Sequence, residues 1–472
     1  MSVFSSLSRD KKEAVGLLQI GTFLEYFDLM LYVHMAVLLN SLFFPKSDPY
    51  TENLLAALAF CSAHLLRPFG ALLFGYIGDH IGRKTTIVFT TSMMAISCLV
   101  MANLPTYAEI GITAAWVVTI CRMVQGLSSM GEITGAEVYL TEITKRPYQY
   151  PIVGLLSISA SLGPFFALAI ASLVTTHGFN WRVAFWIGAL IAVVGTLART
   201  RLRETPEFAD MKKRMEKTIQ EDMEDPAPEK VKQAMQKLKP LWGEKVNKKT
   251  FFCSFLMAFG WPVFFYFVYI HGGNILKHQF GYTPEEVIHH NFIISIFQVL
   301  SFVISVYLSK YIFPLKIIKI RTYLLMSLAL IIPILMNSVI TTPNQLLALQ
   351  CLCIFLPLTE VPAMPVLISH YPIYRRLTCN TLSFALARLF GYLVTAFAIV
   401  YLTETFGNYG LWIIMIPACL AFLWAVRHFE KLEEHSAKLE AMPTIAQMVN
   451  ERFEAAQKQK FNLTGGSGIR QT

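Results

Sequence analysis

Long apolar runs separated by short polar breaks dominate this chain. Hydropathy predicts spanning helices near residues 15–39, 54–78, 86–104, 112–140, 152–176 and 181–199. A polar stretch from Thr200 to Lys249 follows, and further runs lie near 250–271, 288–309, 317–338, 345–370, 378–402 and 409–427. Each run holds roughly the 20 residues needed to cross a bilayer as a helix. The pattern predicts an all-α polytopic membrane protein of about twelve transmembrane helices. Four segments are expected: a six-helix half over 1–199, a cytoplasmic loop over 200–249, a second six-helix half over 250–427 and a cytoplasmic tail over 428–472.

The placement of cations agrees with that count. With the N-terminus inside, the inward loops carry Arg83 and Lys84, Lys145 and Arg146, Lys310, Lys316 and Lys319, and Arg375 and Arg376. The outward loops carry chiefly Lys46, Arg182 and Lys277. A miscounted helix in the middle would invert everything downstream, so the alternation predicts an even number of spans with both termini cytoplasmic. Composition agrees: 54% of residues are hydrophobic and 15% charged. The net charge of +9 is spread over inter-helix loops rather than along one face, which argues for membrane topology and against a nucleic-acid partner. No cofactor or metal is expected. The cysteines lie within apolar runs, with Cys351 and Cys353 on different sides of a helix.

Ionised groups within apolar runs are costly, about 2.5–3.5 kcal/mol at mid-bilayer on insertion scales. Glu25, Asp28, Arg67, Arg122, Glu132, Glu360 and Arg388 are therefore the candidates for proton coupling and solute binding, each needing a partner or a wet cavity. Glu25 and Asp28 are three apart and share a helix face, where one carboxylate could carry a proton beside Arg67 or Arg122. Buried ion pairs that only fix helix packing are the alternative. Tyr26, Trp261 and Tyr266 could form an aromatic wall for an ammonium group, or an interfacial belt. Pro262, Pro357, Pro362 and Pro365 predict bends in the seventh and tenth spans.

The link between the second and third spans reads GYIGDHIGRK, Gly75 to Lys84, and resembles the signature loop of the major facilitator superfamily. Arg67-Pro68-Phe69-Gly70 before it, GTFLEYFDLMLY at Gly21–Tyr32, CRMVQGLSSMGE at Cys121–Glu132 and RLRETPEF at Arg201–Phe208 are similar to its metabolite:proton symporter branch, whose members include proline and betaine transporters. The second half departs from the pattern. Its corresponding loop, Leu308 to Arg321, lacks the acid and glycine, and Ile368–Cys379 carries His370 and Cys379 where relatives have an acid and a glycine.

The resemblance implies a major facilitator fold of two pseudo-symmetric six-helix halves in a bacterial inner membrane. It implies proton-coupled symport of a small organic solute by alternating access, first a zwitterion such as proline or betaine, by a monomer whose partners are solute, proton and lipid. An organic-acid symporter of di- or tricarboxylates, a facilitator or exchanger without protons, and a non-transporting receptor stand as alternatives. The resemblance also implies a cytoplasmic gate at Gly75, Asp79, Gly82, Arg83 and Glu142. An enzyme is not expected, for no nucleophilic triad pattern stands among the spans. The chain also lacks the phosphate loop of an ATP-driven pump.

Overall fold

The computed structural model describes residues 8–44, 64–176, 180–200 and 245–441. Within them the chain is built of helices: α1 (Arg9–Phe43), α2 (Arg67–His80), α3 (Arg83–Asn103), α4 (Ile112–Ile143), α5 (Gln149–Thr176), α6 (Arg182–Arg199) and α7 (Lys248–Phe265). A π-helical turn, Tyr266–His271, leads into α8 (Gly272–Phe280). Then come α9 (Pro284–Leu308), α10 (Pro314–Ser338), α11 (Pro343–Phe355), α12 (Met364–Ser369), α13 (Arg376–Phe406) and α14 (Leu411–Ala441). Seven helical runs among the described residues are long and apolar enough to cross a membrane. The chain divides into two compact units, Met1–Val426 and Arg427–Thr472. Most of the expected central loop, the Arg201–Phe208 motif and the end of the tail lie outside the described residues.

Helix starts follow local chemistry. Thr283 and Thr342 each accept from the backbone three residues on, while Glu286 and Gln345 reach back to their amides, closing capping boxes with proline at the first helical position. The large side chains that face outward are apolar: Phe69 is 65% exposed, Trp116 64% and Phe397 73%. So much apolar surface is compatible with hydrocarbon and not with water.

Within the first unit α1 packs along α5, α3 between α4 and α6, and α7 against α13. Two further pairings, α2 with α13 and α5 with α9, join helices of the first part of the chain to helices of the second. Glycine permits the closest of these approaches. A Cβ on Gly75 would sit 2.8 Å from the Thr378 Cα, so α2 and α13 meet backbone to backbone only because position 75 has no side chain.

Two expected spans differ in detail. The stretch 345–370 is not one bent helix. It ends at Phe355, and residues 356–363 run without helix before α12 begins. Pro357 and Pro362 supply no amide hydrogens, and Pro365 occupies the first turn of α12. In the seventh span the change behind Pro262 is a widened π turn, with the Tyr266 amide donating to both Pro262 and Val263 carbonyls. Lys316, Lys319 and Arg321, read as loop cations, lie on α10, which starts at Pro314.

Candidate functional site

The α2–α13 and α5–α9 contacts enclose a cavity of about 300 Å³. One wall comes from α1, α2, α4 and α5, the other from α7, α9, α13 and the non-helical stretch at Thr359–Val361. Of the predicted solute and proton residues, Arg67, Arg122, Glu360 and Arg388 line it, as do the aromatics Tyr26 and Trp261. Glu25 and Asp28 are buried on α1 but do not line the cavity. Glu132 lies within α4, its side chain outside the described ones. Tyr266 is on the π turn away from the lining, and Phe265 and Tyr269 stand in the wall instead.

The cations are held differently. Arg122 donates from Nη1 to the Leu29 carbonyl and to Gln125 Oε1, both at 3.1 Å, and lies 4.5 Å over the Tyr32 ring. It is thus committed to α1 and its own helix. Arg388 lies over Phe384 at 4.7 Å and Trp261 at 5.8 Å, packing its guanidinium against aromatic faces rather than pairing it with one carboxylate. Arg67 is 5% exposed, with Tyr26, Tyr392, Arg388 and Glu25 in Coulombic reach.

Glu25 and Asp28 share a helix but not surroundings. Glu25 lies in the field of Arg67 and Tyr26. Asp28 instead neighbours the Cys98 thiol, and a Cβ on Gly188 would fall 2.5 Å from its Oδ1. Asp28 therefore sits where α1 meets α3 and α6, while Arg122 turns its Nη1 to Leu29 and Gln125.

Glu137, Arg321 and His64 fall outside the residues that the sequence marks as candidates: His64 reads as a satisfied helix histidine and Arg321 as a loop cation. Glu137, five residues before Glu142 on α4, lines the cavity. It accepts from Asn380 Nδ2 at 3.4 Å and lies in Coulombic reach of Glu360 and Arg388. The cavity thus has a carboxylate on each side. Its apolar surroundings on α4, Ala136 and Val138, mark it as costly by the same rule that selected Glu360. His64 lines the cavity with its ring edge-on to Tyr392 at 4.9 Å.

At one end the cavity is shut by contacts between α2 or α4 and the start of α13. Asp79, near the end of α2, accepts from the Leu377 amide at 3.3 Å, the Thr378 amide at 2.9 Å and Thr378 Oγ1 at 2.6 Å. Leu377 and Thr378 open α13, so Asp79 caps a helix that is not its own, with its charge at the positive end of that helix. Beside it Arg376 Nη1 meets Glu142 Oε1 at 3.3 Å, and Thr134 and Thr381 hydroxyls meet at 2.8 Å. Gly82 has φ 147°, a conformation that glycine alone adopts readily. It lets α3 start directly after α2. Arg83 begins α3, its side chain outside the described ones.

The chain is 32% identical over 221 residues to the proline/betaine transporter of Salmonella typhimurium (strain LT2), covering 45% of this chain and 44% of that protein. It is 36% identical over 215 residues to the inner membrane metabolite transport protein YhjE of Escherichia coli (strain K12), covering 44% and 48%. The matched stretches span less than half the length of these curated relatives. Among solved structures the fold is similar to that of the proton:xylose symporter XylE, with TM-score 0.70 at 15% identity over 89% of this chain and 95% of that one. It is also similar to the human organic anion transporter MFSD10, with TM-score 0.63 at 16% identity over 89% and 99%. The sequence profile described as the Major Facilitator Superfamily matches residues 20–375, and on that match, with the helical architecture shared by these structures, the chain belongs to the Major Facilitator Superfamily.

Proposed function

We propose that this protein is a secondary active transporter that moves a small carboxylate-bearing solute together with a proton, by alternating exposure of the cavity to the two sides of a bacterial inner membrane. The observation that carries the reading is the cavity wall itself. Cations and carboxylates stand on both sides of one cavity, where the charges of Arg67, Arg388, Glu137 and Glu360 are sustained only by partners, water or a charged solute. Arg67 and Arg388 suit a solute carboxylate, and Trp261 and Tyr26 suit an ammonium. A zwitterion such as proline or betaine meets both demands, and two curated relatives are named for proline/betaine or ectoine/proline transport. Glu25, Asp28, Glu132 and Glu360 are the proton candidates. Gly75, Asp79, Gly82, Arg83 and Glu142 form the gate that releases when the cavity opens at that end, taken as cytoplasmic.

The second reading is an organic-acid symporter. Arg67, Arg122, Lys277 and Arg388 outnumber Glu137 and Glu360 in the lining, and an excess of positive charge favours an anion.

Purified protein in proteoliposomes, with an inward proton gradient and labelled proline, betaine or a dicarboxylate, tests both. Uptake of a zwitterion that collapses with a protonophore is expected, and Asp28→Asn should abolish uphill accumulation while leaving exchange. Dicarboxylate uptake alone moves the assignment to the second reading. Flux indifferent to the gradient makes the protein a facilitator, and binding without flux makes it a receptor.

A further inference from the structure

Arg321 has no part in the lining or the gate. It sits on α10, 6% exposed, and its Nη2 turns to the non-helical stretch while its Nη1 turns to α9. Nη2 donates to the Thr359 carbonyl at 2.7 Å and to the Val361 carbonyl at 2.9 Å, while Nη1 donates to Ser305 Oγ at 3.0 Å. The two carbonyls flank Glu360, in the stretch between α11 and α12 where no helical ladder exists.

Backbone that leaves a helix at membrane depth must find donors within the protein, because hydrocarbon offers none. The stretch makes some of its own bonds, such as the Ala363 amide to the Glu360 carbonyl at 2.6 Å. Three further carbonyls in and beside it are met from other helices. Ser301, one turn from Ser305 on α9, donates to the Phe355 carbonyl at 2.7 Å, and Arg321 takes those of Thr359 and Val361. A guanidinium is a rigid planar fork, able to fix two acceptors at a set separation where an ammonium would leave them free to turn. Glu360 also lies in Coulombic reach of Arg321, so the same side chain supplies compensating charge.

We propose that Arg321 is a positioning residue for Glu360: by clasping the carbonyls on either side, it presents that carboxylate to the cavity that Glu137 and Arg388 also line. The inference rests on the proposed reading of the cavity as the transport site, and it adds a determinant that never touches the solute.

The experiment compares wild type, Arg321→Lys, Glu360→Gln and the double variant, each purified and checked for an unchanged elution profile. Two readouts are taken: labelling of Glu360 by a hydrophobic carbodiimide, followed by mass spectrometry, and KM and Vmax of uptake in proteoliposomes. Arg321→Lys is expected to raise Glu360 labelling about tenfold, as expected when one carbonyl clasp is lost, with labelling of Asp28 unchanged. It should raise KM by a similar factor with little change in Vmax, and should add nothing in the Glu360→Gln background. Equal Glu360 labelling in wild type and Arg321→Lys, including none in either, overturns the inference. So does an equal loss of uptake in both backgrounds, which is what a purely structural role produces. If wild type takes up none of the solutes, the proposed function fails while the labelling still decides the role of Arg321.

Discussion

Replacing Asp79 with asparagine removes one negative charge from the start of α13 and keeps a neutral oxygen in place. The structure sets the size of the effect. The carboxylate accepts from two amides of the first helical turn and from one hydroxyl, at 3.3, 2.9 and 2.6 Å, and it is 1% exposed. A charge at a partly buried helix terminus contributes up to about 2 kcal/mol, and hydrogen bonds to charged acceptors exceed neutral ones by about 1 kcal/mol each. The amide oxygen recovers part of this, leaving a loss of about 2 kcal/mol for the closed seam. At about 1.4 kcal/mol per tenfold, the open fraction rises roughly thirtyfold. Cys379, buried beside this seam on α13, reports on it through its rate of alkylation by a water-soluble maleimide, read by mass spectrometry. The rate should rise by that factor in Asp79→Asn. Gly75→Ala should also raise it, since the added methyl meets the Thr378 backbone without altering any charge. Folded variants that both alkylate at the wild-type rate would refute the latch.

Glu142→Gln removes the negative charge that Arg376 Nη1 meets at 3.3 Å and leaves a neutral oxygen in its place. One charged hydrogen bond is weakened here rather than three, so Cys379 alkylation should rise only about fivefold, about 1 kcal/mol; a rise beyond that of Asp79→Asn would contradict this order. Gly70→Val drives a side chain onto the Leu127 carbonyl oxygen between α2 and α4. It should destabilise the purified protein by about 1–3 kcal/mol, visible as a lower melting temperature, and an unchanged melting curve would show that the approach is not tight.

The helical architecture is legible in hydropathy because each apolar run is separately long enough to cross a bilayer, and the Gly75–Lys84 turn is legible because glycine spacing and an acid at a helix end have few other uses. The site is legible only in part, for reasons that differ by residue. Arg67, Arg388 and Glu360 stand out because charges within apolar runs are rare. Glu137 escaped because Glu142, five residues on, is the acid matched by the family motif. Arg321 escaped because Lys310, Lys316 and Lys319 precede it and a loop absorbs cations without explanation; only the start of α10 at Pro314 carries it into the bundle. Hydropathy also cannot distinguish a bent span from a severed one. Residues 356–363 stay apolar enough to continue the run, and their departure from the helix depends on donors from α9 and α10, far away in sequence.

The π-helical turn at Tyr266–His271 holds one residue more than an α-helix would place there. Each residue of an α-helix advances about 100° around the axis. Were that turn to tighten, everything beyond it, Lys277 of the cavity lining included, would swivel by about that angle with no hinge and no separate rigid-body tilt. Lys277 would thus turn relative to Trp261, on the other side of the π turn, although both line the same cavity.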